Sequence, residues 1–381
     1  MRILNANGLR APSIRRTARR LARVVRRTRV PHPRLGDYRP RSQLRVPTHD
    51  IPSAAFPAVD AHAHLGRWLT GDGSWMESDV KRLLGIMDAA NLATLVNLDG
   101  RWGSELQQNL TRYDEAHPGR FATFCHVDWS MLSTGHGGAE LAASLADSVA
   151  VGARGLKVWK DLGFSVRDAA RELVLADDPR LSELWDAAGD LNVPVLFHVA
   201  DPIGFFTPLD RHNELLMELR RSPASSRAAL GVAGHDFLLA AFEHILERHR
   251  GTTFIAAHLA SCAHDLQRVA AMLRSHPNLF VDVSARAAEI GRQPRVAARF
   301  IEGNGDRVLF GADIWPVRQA EYGVWFRLLE TDDDCFPYST AEVLPQGGWN
   351  IYGLQLSDTT LRQVYKTNAL RVIPGLTTTS L

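Results

Sequence analysis

Eight short apolar runs alternate with helix-patterned segments between residues 56 and 374, and this alternation limits most strongly how the chain can fold. Turn-forming residues bound each run, as is typical of buried strands. The runs are Phe56–Val59, Leu95–Asp99, Phe121–Asp128, Gly155–Trp159, Pro194–His198, Thr253–His258, Leu279–Ser284 and Val308–Asp313. Segments such as 79–91, 181–191, 237–250 and 265–276 carry apolar residues at helical spacing between them. Strictly alternating strands and helices predict a parallel sheet.

Eight strand–helix repeats predict one α/β domain, a (β/α)8 TIM barrel, which typically needs about 250 residues. The stretch from Phe56 to about Pro374 is long enough for it. We therefore predict two parts: a basic arm and extended connector at residues 1–55, and a catalytic barrel at 56–381. A long excursion, Thr331–Leu356, follows the eighth strand and lies outside the repeat.

The first run ends in Asp60-Ala61-His62-Ala63-His64, which places two imidazoles two residues apart. Side chains at i and i+2 leave the same face of a strand, so both rings can converge on one ion. With 15 histidines in the chain, such a pair also arises by chance. The later strands decide between these two interpretations.

Four later runs each carry a possible ligand at or near the C-terminal end. These residues are Lys157, His198, His258 and Asp313. In a parallel barrel the chemistry lies at the C-terminal ends of the strands, so the positions converge on one rim. Taken alone, either later histidine could be a hydrogen-bonded barrel residue, and Asp313 could cap a loop or helix.

Two imidazoles from the first strand, His198 and Asp313 form a nitrogen-rich set with one carboxylate. Such a set favours one divalent ion, zinc first and manganese, iron or cobalt as alternatives. The ion would lower the pKa of bound water to about 7 and polarise a carbonyl group. Asp313 could both ligate the metal and accept a hydrogen bond from that water. His258 is assigned to proton transfer or to holding an oxyanion.

Two neighbours of this set have open roles. Asp60 is expected either to ligate the metal or to pack behind the ligands. Lys157 has three alternatives: a carbamylated bridge between two metals, a cation that binds a substrate carboxylate, or a structural partner of Asp60 or Asp313.

Loops at the same rim should determine specificity. Arg286 is the candidate for binding a substrate carboxylate or phosphate by a bidentate contact. A salt bridge from Arg286 to Glu289 or Asp282 is the alternative. Trp159 and Trp315 are candidates for stacking on a planar substrate, and packing within their loops is the alternative. The expected partner is thus a small molecule, anionic or aromatic.

The net charge of +2 hides an asymmetry. Residues 1–45 contain fourteen arginines and one acid, Asp37, and the remainder has 30 basic and 41 acidic residues. Segment 13–27 predicts a basic amphipathic helix. We expect this arm to pack on the acidic barrel or on a second subunit. A homodimer is plausible, although nothing in the sequence requires it. Binding to nucleic acid or anionic lipid is the less favoured alternative.

The three cysteines, Cys125, Cys262 and Cys335, show no paired or Cys-x-x-Cys spacing. This pattern predicts neither a disulfide framework nor a thiolate zinc site, and it favours the cytoplasm. No apolar run reaches the length of about 20 residues that a membrane span needs. The arginine pair at 15–16 lacks the apolar core of an export signal.

Four features taken together resemble the amidohydrolase superfamily. They are the first-strand motif Val59–His64, the segment Gly155-Leu156-Lys157, the strand-end histidines His198 and His258, and the segment Phe310-Gly311-Ala312-Asp313. The resemblance is greatest to the amidohydrolase-related branch that includes aminocarboxymuconate semialdehyde decarboxylase and the resorcylate decarboxylases. It runs to a final helix, 357–373, with Tyr365, Asn368 and Ala369 placed as in that branch. It implies a metal held by His62, His64, His198 and Asp313, with His258 as acid, base or orienting group.

Three functions follow. The first is a metal-dependent hydrolase that uses activated water to cleave a C–N or C–O bond of a small organic molecule. The alternative is a metal-dependent, non-oxidative decarboxylase of a small carboxylic acid. The third, a non-catalytic barrel whose arm mediates binding, is opposed by the intact ligand set.

Overall fold

The computed structural model describes residues 34, 37–38, 41–133, 136–228, 232–342 and 344–376. The chain divides into two units, residues 1–42 and 43–381, and all strands and helices given below belong to the second. The helix expected at 13–27 lies outside the described residues. The domain boundary expected at residue 55 stays a prediction.

Eight strands occur at the eight apolar runs. They are β1 (Ala58–Ala63), β2 (Leu92–Asn97), β3 (Phe121–Thr123), β4 (Leu156–Val158), β5 (Val195–Phe197), β6 (Phe254–Ala256), β7 (Leu279–Asp282) and β8 (Val308–Leu309). Parallel pairing orders them as β1-β2-β3 and β4-β5-β6-β7-β8. Backbone bonds join the two sheets at both seams: Lys157 N donates to Cys125 O at 2.7 Å, and Asp313 N donates to His62 O at 3.0 Å. The predicted α/β TIM-barrel class is confirmed.

The helices lie between the strands. They are α1 (Val80–Ala89), α2 (Gly103–Leu110), α3 (Gly137–Ala150), α4 (Ser182–Asp190), α5 (Leu216–Arg221), α6 (His235–Arg248), α7 (Leu266–Ser275), α8 (Ala287–Arg292), α9 (Pro294–Gly303), α10 (Gln319–Glu330), α11 (Asp358–Arg362) and α12 (Asn368–Val372). π-helical turns continue α2 through Thr111–Glu115 and join α11 to α12 through Gln363–Thr367.

Local sequence explains where several helices begin. The side chains of Asp79, Asp265 and Ser357 each accept a hydrogen bond from a backbone N–H of the first turn, which satisfies a donor that a helix start leaves open. The apolar faces of α1 and α7 then pack into the larger core cluster, through Leu83 and Met87 of α1 and Val269 and Leu273 of α7.

The barrel interior holds a separate apolar cluster. Inward side chains of the strands, among them Val59, Val96 and Ile255, pack together with Ala369 and Ile373 of the final helical segment. This arrangement closes the end of the barrel opposite the rim that carries the polar residues.

The excursion after β8 contains α10 and a short antiparallel pair, β9 (Phe336–Pro337) and β10 (Asn350–Ile351). Buried Asp333 anchors it by accepting hydrogen bonds from Arg327 Nε at 2.6 Å and His49 N at 2.7 Å. Among the described residues, we find no helix whose length and apolarity would suit a membrane span.

Candidate metal centre and active site

Strand β1 brings His62 and His64 to the rim with their ring centroids 5.4 Å apart. Each ring is fixed by its Nδ1 atom: His62 Nδ1 lies 2.9 Å from Asp282 Oδ2, and His64 Nδ1 lies 2.8 Å from Asp99 Oδ1. Because a carboxylate can only accept, each Nδ1 carries the hydrogen. Nε2 of each ring is therefore the atom left to bind a metal.

Asp313 completes a compact group with these two histidines. Its Oδ1 lies 3.6 Å from His64 Nε2, and the ligand atoms of His62, His64 and Asp313 all lie within 4.8 Å of one another. Two atoms bound to one tetrahedral zinc at about 2.0–2.1 Å are separated by about 3.4 Å. The Asp313 side chain remains 27% exposed, so one side of the group is accessible from solvent.

Buried polar atoms without partners test whether a cation fits here. Within the described part of the chain, His62 Nε2 is buried and makes no hydrogen bond. An unpaired buried acceptor is costly, and a divalent cation would satisfy it. The donor set of two imidazoles and one carboxylate also suits zinc, manganese, iron or cobalt.

A second group, His62, His258 and Asp282, has a different explanation. Asp282 Oδ1 accepts bonds from His258 N at 2.8 Å, Ser284 N at 3.1 Å and Ser284 Oγ at 2.6 Å, and Oδ2 holds His62. Its oxygens are thus already used. Asp282 thus holds the ring of His62 and the backbone N–H of His258.

His198 follows β5 and faces the same cluster. Its ring centroid lies 4.5 Å from that of His258 and 5.7 Å from that of Trp159. Both of its ring nitrogens are buried without a partner among the described residues. It does not belong to the compact group of ligand atoms, so its role as a fourth ligand stays a prediction.

His258 follows β6 in an unusual backbone conformation. Residues 258 to 261 all have positive φ, from 55° to 59°, which L-residues adopt at a cost. The turn ends the strand earlier than the apolar run predicts, and it aims the imidazole at His62, with ring centroids 4.7 Å apart. His258 Nδ1 donates to Ser284 O at 2.9 Å, which leaves Nε2 as the open acceptor. Asp313 also has positive φ, 55°, and it likewise lies beyond the end of its strand.

The electrostatics divide the histidines into two kinds. Burial, reinforced by neighbouring cationic and imidazole groups, holds the pKa of His62, His198 and His258 well below its usual range. Burial also opposes protonation of His64, but the carboxylate of Asp99 outweighs it and raises the pKa of that imidazole. Three neutral imidazoles therefore face the centre at neutral pH, as ligands and proton acceptors must.

Asp60 lies behind the ligands and does not face them. Its Oδ1 accepts from His62 N at 2.9 Å and Ala312 N at 3.0 Å, and its Oδ2 accepts from Tyr322 Oη at 2.7 Å. Burial raises the pKa of this carboxyl to about 7. Gly311, which follows β8, lets the backbone pass close to His62 of β1, because a Cβ at position 311 would stand 2.9 Å from His62 Cβ. Asp60 thus ties the first and eighth strands together.

Replacing Tyr322 by Phe should lower the free energy of unfolding by about 1–3 kcal/mol, because it leaves a buried carboxylate oxygen without its donor. Chemical denaturation would measure the loss. Tyr352→Phe, at a side chain that is 37% exposed, is the matched control and should change stability by less than about 0.5 kcal/mol. Equal effects of the two substitutions would contradict the role given to Asp60.

Lys157 extends from β4 into the same region and is 1% exposed. Its Nζ forms no hydrogen bond with any described residue, and no ion pair joins it to Asp60 or Asp313. The structure therefore gives the structural-partner alternative no direct contact. Burial lowers the pKa of this ammonium to about 8, against the opposing effect of Asp282 and Asp313. It remains mainly a cation at neutral pH.

The three residues predicted to contact the substrate differ in their distance from the ligand group and in their exposure. Trp159 lies at the centre, with its ring 5.2 Å from that of His64. Arg286 is buried and forms the predicted salt bridge, with Nη1 3.3 Å from Glu289 Oε1, beside a cavity of about 490 Å³. Trp315 is 61% exposed and donates to Met76 O at 3.2 Å. Substrate binding by these three residues stays a prediction.

Three residues of the site were not predicted as part of it: Asp99, Ser284 and Asp282, the last of which was expected only as a partner for Arg286. The carboxylates orient the two β1 histidines, and Ser284 Oγ lies 3.0 Å from His62 Nδ1 and 2.8 Å from His258 Nδ1. The sequence did contain a signal that could have identified Asp99 and Asp282 as site residues, because both are acids at or within otherwise apolar strand runs. Such acids are buried only when they are paired.

A family model described as Amidohydrolase matches residues 59–375. No curated protein matches the chain.

Solved structures share the fold at low sequence identity. An uncharacterised TIM-barrel protein from Bordetella bronchiseptica is 15% identical, with 83% of this chain and 97% of that chain covered and a TM-score of 0.51. A 2,6-dihydroxybenzoate decarboxylase from Rhizobium is 16% identical, with 83% and 98% covered and a TM-score of 0.50. A 5-carboxyvanillate decarboxylase from Novosphingobium aromaticivorans, complexed with manganese and 4-hydroxy-3-methoxy-5-nitrobenzoic acid, is 12% identical, with 85% and 98% covered and a TM-score of 0.51.

Proposed function

The chain belongs to the amidohydrolase family, and from this premise we propose that it is a metal-dependent hydrolase of a C–N or C–O bond in a small organic molecule. The observation that carries the proposal is the convergence of His62, His64 and Asp313 at the barrel rim, with both imidazoles oriented by buried carboxylates. His198 is the proposed fourth ligand.

A divalent cation held by these residues would supply a Lewis acid, which polarises a substrate carbonyl and makes water more acidic. Asp313 is suited to accept a proton from water, because its carboxylate is partly exposed beside the ligand group. The buried carboxylates of Asp99 and Asp282 keep Nε2 of each β1 histidine directed at the cation.

His258 is the proposed proton carrier. Its Nδ1–H is held by Ser284 O, so Nε2 faces the cluster as a neutral acceptor. In hydrolysis, water contributes its oxygen to the carbonyl carbon, and its two protons are shared between the products. Nε2 of His258 would take one of these protons and deliver it to the departing nitrogen or oxygen.

Non-oxidative decarboxylation is the second candidate. Two of the solved structures with this fold are decarboxylases, and the buried ammonium of Lys157 is the feature of this chain that favours an acid substrate. In this reaction Nε2 of His258 would take up the proton of the substrate's carboxyl group or one from water, the bond to the carboxyl carbon breaks, CO2 leaves, and that proton takes its place on the carbon. No water is consumed.

Elemental analysis of protein purified without added metal is expected to find about one zinc-like ion per chain. Manganese, iron or cobalt at the same level would support the site equally and change only the identity of the metal. Protein that is metal-free and gains no ion on incubation with these cations would contradict the proposal.

Product analysis separates the two reactions. Incubation in H2(18)O with a panel of esters, lactones, amides and hydroxybenzoates should introduce label into a product carboxyl group if the enzyme is a hydrolase. Release of CO2 without incorporation of label would instead establish the decarboxylase.

The remaining assignments are proposals as well. The substrate is a small molecule with an anionic or aromatic part, and the protein acts in the cytoplasm. A homodimer is the proposed assembly, and we propose no nucleic-acid partner.

A further inference from the structure

A cavity of about 270 Å³ lies beside the metal-ligand group, between the loops that follow β2, β3 and β4. Lys157 and Trp159 form the wall nearest the ligands, and the ring of Trp159 contacts those of both His64 and His198. The indole ring of Trp159 therefore lies between a molecule in this cavity and the metal-ligand group.

The cavity wall contains a buried ammonium group without a hydrogen-bond partner. Lys157 is 1% exposed, and its Nζ has no hydrogen-bond partner in the part of the chain that the structure describes. Leaving a buried ammonium without an acceptor is unfavourable, so the site is built for a ligand that provides one. Nearby Lys160 differs, because its Nζ pairs with Asp201 Oδ1 at 2.7 Å.

Aromatic rings make up much of the remaining wall. Trp102, Trp129 and Trp159 line the cavity, and the guanidinium of Arg101 lies 4.0 Å from the ring centroid of Trp102. Flat indole faces favour a planar guest, and Arg101 adds a second positive charge. The volume is enough for a single substituted ring.

Two acids, Asp128 and Asp161, line the same cavity. Asp128 Oδ1 accepts from Ser130 N at 3.0 Å, and Asp161 Oδ2 accepts from Trp129 Nε1 at 3.3 Å. Asp161 is positioned to accept a hydrogen bond from a hydroxyl or amino substituent of a guest. The wall thus combines a buried cation, indole faces and carboxylate acceptors.

We propose that this cavity binds the planar, carboxylate-bearing part of the substrate, with Lys157 as the ammonium that selects the carboxylate. The inference deepens the proposed function and rests on it, because it places the substrate acid on the β4 side of the metal ligands. Lys157 accordingly remains an unmodified amine and does not bridge two metals.

Benzoate and benzamide are suitable probes, since they share a ring and differ in charge. With the metal-containing protein, quenching of tryptophan fluorescence should show benzoate binding at least tenfold more tightly than benzamide. Lys157→Met should weaken benzoate at least tenfold and leave benzamide binding and metal content unchanged. The matched control Lys160→Met, which removes an ammonium already paired, should change benzoate affinity less than threefold.

Equal affinities of wild type for the two probes, or unchanged benzoate binding by Lys157→Met, would overturn the assignment. A lysine carbamate signal after labelling with 13C-bicarbonate would also overturn it. If Lys157→Met does not fold, NMR magnetisation transfer from benzoate to the indole of Trp102 tests the cavity instead. The Trp102 signal would be assigned with Trp102→Phe. Transfer to this indole supports the proposed cavity, and its absence overturns it. Protein that is purified without metal and takes up none on incubation with zinc, manganese, iron or cobalt, yet still selects benzoate through Lys157, would contradict the proposed function but not this binding site.

Discussion

Replacing His62 or His64 by alanine is expected to remove the bound metal and reduce turnover to the background rate. Each substitution deletes one nitrogen of the compact ligand group and leaves a buried carboxylate, Asp282 or Asp99, without its partner. Substitution of a residue that only orients a metal-binding histidine costs about 10- to 100-fold in metal affinity. Loss of the ligand itself should therefore exceed about 100-fold, measured by metal titration.

His244→Ala is the matched control. This imidazole is exposed and pairs with Asp177 at 2.8 Å on the outside of the barrel, so its loss should change neither metal content nor turnover. Asp99→Asn should give an intermediate loss of metal affinity, because it weakens the orientation of His64 without deleting it. Full metal content and activity in both β1 variants would exclude these histidines as ligands.

Replacing His258 by Asn should lower kcat by about 10²- to 10⁴-fold while the metal is retained. Asn tolerates the positive φ of this position better than most residues, so the turn should survive the loss of the imidazole. What disappears is the Nε2 acceptor that faces His62 and His198. Steady-state kinetics and metal analysis of the same preparation would measure the two effects separately.

His276→Asn controls for removal of a buried imidazole elsewhere, since His276 lies at the end of α7 outside the site. It should leave kcat unchanged. Loss of metal in His258→Asn would make His258 a ligand, and unchanged kcat with metal retained would show that it carries no proton.

Much of the fold was predictable from local pattern. Each strand coincides with an apolar run, and helices begin at Asp79 and Asp265 as their capping chemistry requires. The ends of the strands were predicted less well. The runs through His258 and Asp313 continue beyond β6 and β8. After β6 the chain turns through positive φ at His258, and apolarity alone does not reveal backbone handedness.

The partners of the site residues were not predictable in the same way. Asp282 holds His62 across 220 positions of sequence, and Asp99 holds His64 across 35. Such pairings depend on which strands become neighbours in the barrel and how far each rises toward the rim. The sequence indicated only that these acids had to be paired somewhere, because each stands at or within an apolar strand run.

The sequence by itself determined the barrel and the rim, since the periods of strand and helix fix which residues face inward and a parallel sheet brings their C-terminal ends together. It thereby placed His62, His64, His198, His258 and Asp313 on one side of the molecule. Only the tertiary structure decided which atoms converge. It grouped His62, His64 and Asp313, set His198 against His258, paired Arg286 with Glu289, and left Lys157 buried without an acceptor. The physical reason is that hydrogen bonds and ion pairs form only between groups a few ångströms apart. Residues distant in the sequence come that close only when the barrel closes.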